Sequence, residues 1–161
     1  MDRQKLFNKV DSAWQEFNAA LAGIPDELWQ QPNAIGEWSL QDILGHIASW
    51  ENEALKYIPL ILEGRRLPRY KDMYGGIDAF NAKTVAGNRR LTLAEARESS
   101  ARTHQKLLDY LQSLPDEHFT SGSRVLRRIL LDTYGHYPYH TQAIRQWRGQ
   151  QAGEGPADLK N

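Results

Sequence analysis

Leu21-Ala-Gly-Ile-Pro-Asp-Glu-Leu-Trp29 returns 90 residues later as Leu111-Gln-Ser-Leu-Pro-Asp-Glu-His-Phe119. Both stretches read Leu-x-x-aliphatic-Pro-Asp-Glu-x-aromatic. The match continues downstream at the same offset and without a gap: Asp42, Gly45 and His46 answer Asp132, Gly135 and His136. Self-similarity at a fixed offset marks two copies of one supersecondary unit. A histidine at the same place in both copies is set to face its twin across a pseudo-axis.

Hydrophobic spacing around the repeat supplies the helices. Leu6, Val10, Ala13, Trp14, Phe17, Ala20 and Leu21 recur at three- and four-residue steps, predicting a first helix over 3–22 that Gly23 and Pro25 end. Residues 26–38 read as a connection with room for one short helical turn. Ser39 stands as an N-cap with Asp42 completing a capping box. Leu40, Ile43, Leu44, Ile47, Trp50, Ala54 and Ile58 then mark one face of a second helix, which fades near Gly64 and carries Pro59 in its last turns. Residues 64–76 read as a long loop, either a crossover or a lid over a pocket, with Gly75-Gly76 as its turn. A short helix follows from Ile77 to about Gly87. Thr92 and Glu95 box the start of a third long helix that reaches about Ser113. After Pro115 a fourth long helix is expected from about Ser123 to Trp147.

No stretch alternates with a two-residue period, so no sheet is expected. Four long amphipathic segments with a two-fold repeat predict an all-α four-helix bundle. The long crossover between the second and third helices permits an up-down-down-up order. One domain over residues 1–149 and a flexible C-terminal tail over 150–161 are expected.

Lys+Arg and Asp+Glu number 20 each, which removes any global electrostatic case for nucleic acid. Arg124, Arg127 and Arg128 form a short basic patch that reads as a solvated face. Cysteine is absent, so a metal would have to use nitrogen or oxygen ligands. No apolar stretch is long enough for a membrane span and the first residues lack a signal-peptide core, making the cytoplasm the expected location.

His136 and His140 lie one helical turn apart, where two imidazoles can share an ion. His46 is the third candidate ligand, supplied by the repeat. Three neutral imidazoles leave a position open for water, the arrangement of a reactive rather than a structural site. Zinc, nickel, iron or manganese suits such ligands. Trp50 occupies the repeat position of His140 and is expected to border the site, with Phe80 and Asn81. Glu53 reads as a solvated helix charge that also has the reach to serve as base or fourth ligand. His104 and His118 read as packing or solvated residues. Pro138, inside the His136–His140 turn, removes a backbone donor; it predicts a kink or π-bulge, a feature often found at functional sites, and makes the alignment of the two rings the point to check.

The segment Gly36-Glu-Trp-Ser-Leu-Gln-Asp-Ile-Leu-Gly-His-Ile-Ala-Ser-Trp-Glu51, with Gly135-His-Tyr-Pro-Tyr-His-Thr-Gln-Ala-Ile144, resembles the DinB/YfiT-like superfamily of bacterial proteins. Within it, Gly76-Ile-Asp-Ala-Phe-Asn-Ala82 and the paired Pro-Asp-Glu turns look most similar to the ClbS/DfsB family. The resemblance implies an up-down-down-up bundle, a divalent-metal site at His46, His136 and His140, and frequent homodimers. It implies activities among thiol transfer, isomerisation and hydrolysis. ClbS-like members are associated with protection against reactive natural products, including hydrolytic opening of a strained ring. The expectation is therefore a metal-dependent hydrolase or transferase that detoxifies a reactive small molecule. The alternative is a metal-free small-molecule binding or self-resistance protein.

Overall fold

The computed structural model describes residues 2–153. Helix α1 spans Arg3–Leu21, α2 Leu40–Leu62, α3 Tyr70–Tyr74, α4 Ile77–Asn88, α5 Leu93–Ser113, α6 Arg124–Asp132 and α7 Tyr137–Gly153. Each Pro-Asp-Glu turn folds as a short 3-10 helix, Asp26–Leu28 in the first copy and Asp116–Phe119 in the second. Among the described residues no strand occurs, only an isolated bridge between Ile35 and Trp38.

Caps fix the helix starts. Ser39 Oγ accepts from the Asp42 N–H at 3.1 Å while Asp42 Oδ2 accepts from the Ser39 N–H at 3.0 Å. Thr92 and Glu95 repeat the reciprocal pair at the head of α5. Such caps satisfy donors that the first helical turn cannot, each worth about 1 kcal/mol.

Contacts between helix ends give the topology. Arg3, opening α1, pairs with Asp116 just beyond α5 at 2.7 Å, so α1 and α5 run antiparallel. Arg89 and Leu91, just ahead of α5, bond Asp42 and Gln41 at the start of α2, and Glu51 meets His104 further along; α2 and α5 run parallel. Arg148, late in α7, donates to the carbonyls of Ala20 and Ala22 at 2.8 Å, and Lys9 lies over Tyr134; α7 runs parallel to α1. The order is up-down-down-up, with α3 and α4 inside the crossover.

The repeat seals both ends of this bundle. Leu21, Ile24 and Trp29 are buried in one apolar cluster with Phe17, Leu40 and Ile43. Leu111, Leu114 and Phe119 are buried in a second cluster with Leu6, Val10 and Ile58. Each fully buried Leu or Ile contributes about 1.5–3 kcal/mol relative to exposure.

Three local expectations are corrected. The expected loop over 64–76 contains α3. The expected fourth long helix is two helices, α6 and α7, broken at Thr133–His136. The chain also stays helical through Gly153, beyond the expected start of the tail at 150; residues 154–161 of that tail lie outside the described residues.

Candidate functional site

The break between α6 and α7 positions the histidines. The carbonyl of Ile129 accepts from the Thr133 N–H at 3.0 Å and from its hydroxyl at 2.6 Å, and the Leu130 carbonyl accepts from the Gly135 N–H at 2.9 Å. These bonds satisfy carbonyls that the end of α6 would leave without partners. A Cβ on Gly135 would come within 2.6 Å of the Leu130 carbonyl oxygen, so the turn requires glycine. Pro138 falls in the first turn of α7, where a missing N–H costs nothing and a fixed φ favours helix. The proline therefore starts a new helix rather than deforming an old one. His136 sits in the turn and His140 in the opening of α7, while His46 lies inside α2.

With Pro138 in this place the two rings of the His136–His140 turn stay aligned. Nε2 of His136 lies 3.0 Å from Nε2 of His46 and 3.0 Å from Nε2 of His140. Among the described residues this is the one group of three His, Cys, Asp or Glu side chains that could hold a metal ion. A neutral imidazole nitrogen carries either one proton or one lone pair, so His136 Nε2 cannot make two good hydrogen bonds at once. Nitrogens held tetrahedrally at about 2.1 Å from an ion stand roughly 3.4 Å apart, a few tenths of an ångström from the spacing here. The donor set thus fits a divalent cation.

Burial keeps the rings neutral. It lowers His46 to about 2, helped by the neighbouring His140 and His136, lowers His140 to about 3, helped by His136, and lowers His136 to about 4. At neutral pH each ring therefore keeps one nitrogen lone pair free of a proton. Nδ1 of His46 and of His136 are buried without a hydrogen-bond partner among the described residues.

The cluster opens into a cavity of about 700 Å³, within the range of small-molecule sites. Trp38, Trp50, Asn81 and Tyr139 contribute to its walls. The Trp38 ring centroid lies 4.6 Å from that of His46, and Trp50 Nε1 donates to Asn81 Oδ1 at 3.1 Å. Phe80 does not line the cavity; it packs against Trp50 from behind, with ring centroids 5.1 Å apart. Glu53, read from the sequence as a solvated charge, is buried: its Oε2 accepts from the Tyr70 hydroxyl at 2.5 Å, away from the imidazoles.

Arg128 is likewise no solvated charge. Its Nε donates to Asp132 Oδ2 at 2.5 Å, its Nη2 donates to the Tyr70 hydroxyl at 3.2 Å, and its guanidinium covers the Trp50 and Tyr57 rings. A chain of polar contacts thus runs Glu53–Tyr70–Arg128–Asp132, and its last three members line the cavity. Burial raises Asp132 to about 7 although Arg128 opposes the shift. Burial and the Glu53 bond push the Tyr70 hydroxyl up, so it stays protonated. The sequence held one signal for this wall. Arg128 and Asp132 stand at the repeat offset from Trp38 and Asp42. Tyr70 carried none, because its segment lacks periodicity.

A second buried network locks α2 to α7. Glu51 Oε1 lies 2.7 Å from His104 Nδ1 and also accepts from the Tyr137 hydroxyl. His104 stacks on Trp14 with centroids 3.8 Å apart, so it is a packing residue. Tyr137 follows His136 directly, and its bond to Glu51 fixes the height of α7 against the helix that carries His46.

An up-down-down-up bundle with three imidazoles converging from two chain segments defines a class of helical proteins with an internal nitrogen site. The chain belongs to the DinB superfamily, whose sequence model matches residues 9–143. Two solved structures share the fold. One is an uncharacterised protein from Escherichia coli UTI89, 15% identical, with a TM-score of 0.80 over 94% of this chain and 95% of that one. The other is DfsB, described as a sibling lethal factor precursor, 18% identical, with a TM-score of 0.77 over 94% of this chain and 97% of that one. No curated protein matches the sequence. Among the described residues no helix is long and apolar enough to cross a membrane.

Proposed function

We propose that the chain is a divalent-metal-dependent enzyme acting on a reactive small molecule, by hydrolysis, detoxification or thiol transfer, with His46, His136 and His140 as ligands. The observation that carries this reading is the convergence of three neutral imidazoles, the buried His46 and His140 and the half-buried His136, beside a substrate-sized cavity. A bound divalent ion supplies Lewis acidity toward an electrophile and a lowered pKa for water; zinc, nickel, iron and manganese all suit an all-nitrogen donor set.

The chain's own residues do the rest. Trp38 and Trp50 exclude water and present flat apolar faces, and the Trp50–Asn81 bond fixes one indole plane. Asp132, held by Arg128 and shifted to about 7, is partly protonated at neutral pH and can give or take a proton in the cavity. Metal analysis after native purification is expected to find about one divalent ion per chain. The His136→Ala variant should lose it. A wild-type protein that carries no metal and refuses added zinc, nickel and manganese overturns the reading.

One observation favours a second reading, a metal-free binding or self-resistance protein of the ClbS/DfsB type. Imidazoles that ligate metals ordinarily donate their other N–H to an oxygen, and Nδ1 of His46 and His136 finds none among the described residues. Thermal unfolding separates the two. A chelator lowers the midpoint of a metal-loaded protein by mass action and leaves a metal-free one unchanged.

A further inference from the structure

The mouth of the cavity is a different surface from its imidazole end. Among the described residues the exposed large apolar side chains are Met73, Ile77, Leu130, Leu131 and Tyr139. Three of these, Ile77 at 53%, Leu131 at 57% and Tyr139 at 73% exposure, line this one cavity. They arrive from α4, α6 and α7, so neighbouring sequence does not explain their meeting. Apolar side chains scattered singly over a surface are ordinary; a set gathered around one opening marks a binding surface.

Charge narrows what binds there. The cavity wall carries one cationic and one acidic side chain, Arg128 and Asp132, and they are paired with each other at 2.5 Å. The imidazoles are neutral. A charged group laid across the mouth would shed water with no opposite charge to meet it, which is unfavourable. A divalent ion at the histidines adds positive charge at the inner end and leaves the mouth apolar.

We infer that the substrate carries an uncharged apolar body that lies across Ile77, Leu131 and Tyr139 while its polar reacting group reaches the imidazoles. The inner half of this inference rests on the proposed function; the outer half rests on the mouth alone. The one guanidinium in the wall is held by Asp132 and the Tyr70 hydroxyl, so selectivity for the body comes from apolar contact and shape.

Two fluorescent probes with the same ring system test it: uncharged N-phenyl-1-naphthylamine and anionic 1-anilinonaphthalene-8-sulfonate. Trp38 and Trp50 in the wall report binding by energy transfer. The full chain, with and without chelator, should bind the uncharged probe at least about tenfold more tightly than the sulfonate, a factor worth about 1.4 kcal/mol. Leu131→Asp should weaken the uncharged probe by about tenfold, and Ile77→Asp should act in the same direction. Both positions are exposed, so either variant serves if the other fails to fold. Binding of the uncharged probe with and without chelator should agree within about threefold, because the mouth is built without the ligands. Failure of metal uptake is thereby read separately from failure at the mouth. Tighter binding of the sulfonate, or unchanged binding in both Asp variants, overturns the inference. So does a sedimentation experiment in which two chains associate through this face and binding of the probe is lost.

Discussion

Residues 21–50 and 111–140 carry the same motif at the same spacing and fold differently. In the first copy the chain leaves its 3-10 turn, runs through an irregular connection and enters α2 at Leu40, so that His46 lies within a continuous helix. In the second copy α6 forms where the first has the connection, and the chain breaks before α7, so that His136 lies in a turn. The histidines still meet. Trp38 and Arg128, equivalent by the offset, both line the cavity, one as a ring and one as a guanidinium. Equivalent positions kept their place in space while changing their local structure and chemistry. The tertiary arrangement constrains where a side chain ends, and several backbone routes reach that end.

The largest effect that tests this comparison concerns the two twin histidines. If they are equivalent despite their different backbones, His46→Ala and His136→Ala should each weaken zinc binding by more than about 100-fold, beyond the 10–100-fold typical of groups that merely support a ligand. Calorimetric titration measures both. A site that survives loss of one twin would show that the halves are not equivalent partners.

The twin glycines should differ. A methyl on Gly135 meets the backbone carbonyl of Leu130, which cannot move without opening the turn. Gly135→Ala is expected to cost about 2–3 kcal/mol in chemical denaturation, at the upper end for overpacking. At Gly45 the methyl would overlap the side chain of Asn88, which sits at the end of α4. Replacing a mid-helix glycine returns about 1 kcal/mol of helix propensity, so Gly45→Ala should be the milder change. Equal losses would mean that both copies need glycine for one shared reason.

The twin aspartates give a smaller contrast. Asp42 is paired with the exposed Arg89 and also caps α2, a role Asn can keep. Asp132, itself buried, is paired with the half-buried Arg128. Asp132→Asn leaves that guanidinium without its closest carboxylate and should destabilise by about 3 kcal/mol at pH 8, against about 1 kcal/mol for Asp42→Asn.

The pH dependence of the metal-free protein sets the three histidines against Asp132. The histidine pKa values fall from an unfolded value near 6.5 to between about 2 and about 4 on folding. Between about pH 4 and 6.5 the unfolded chain therefore binds more protons, and stability rises with pH. Asp132, raised to about 7, works in the opposite direction over the same window, because its native form holds the proton. Three groups against one leave a net rise from pH 4 to 6.5, which urea melts of chelator-treated protein would measure. A flat or falling profile would mean that the imidazoles are solvated and the cluster is looser than its 3.0 Å spacings.

The sequence by itself determined α1, α2, α4 and α5, the two capping boxes and the repeat that brings His46 opposite His136. These depend on residues a few positions apart, where periodicity, caps and prolines act directly. Only the tertiary structure decided that Pro138 opens a helix instead of bending one, because that depends on where α6 ends. It also decided that Glu53 is buried, that Arg128 is half-buried and that Tyr70, in an aperiodic stretch, completes the wall. Their partners are 17, 4 and 58 residues away along the chain, and the longer contacts form only when the crossover folds back against α2 and α6. A charge looks solvated in sequence until the opposite element supplies its hydrogen bonds, since burial is a property of the neighbours and not of the residue.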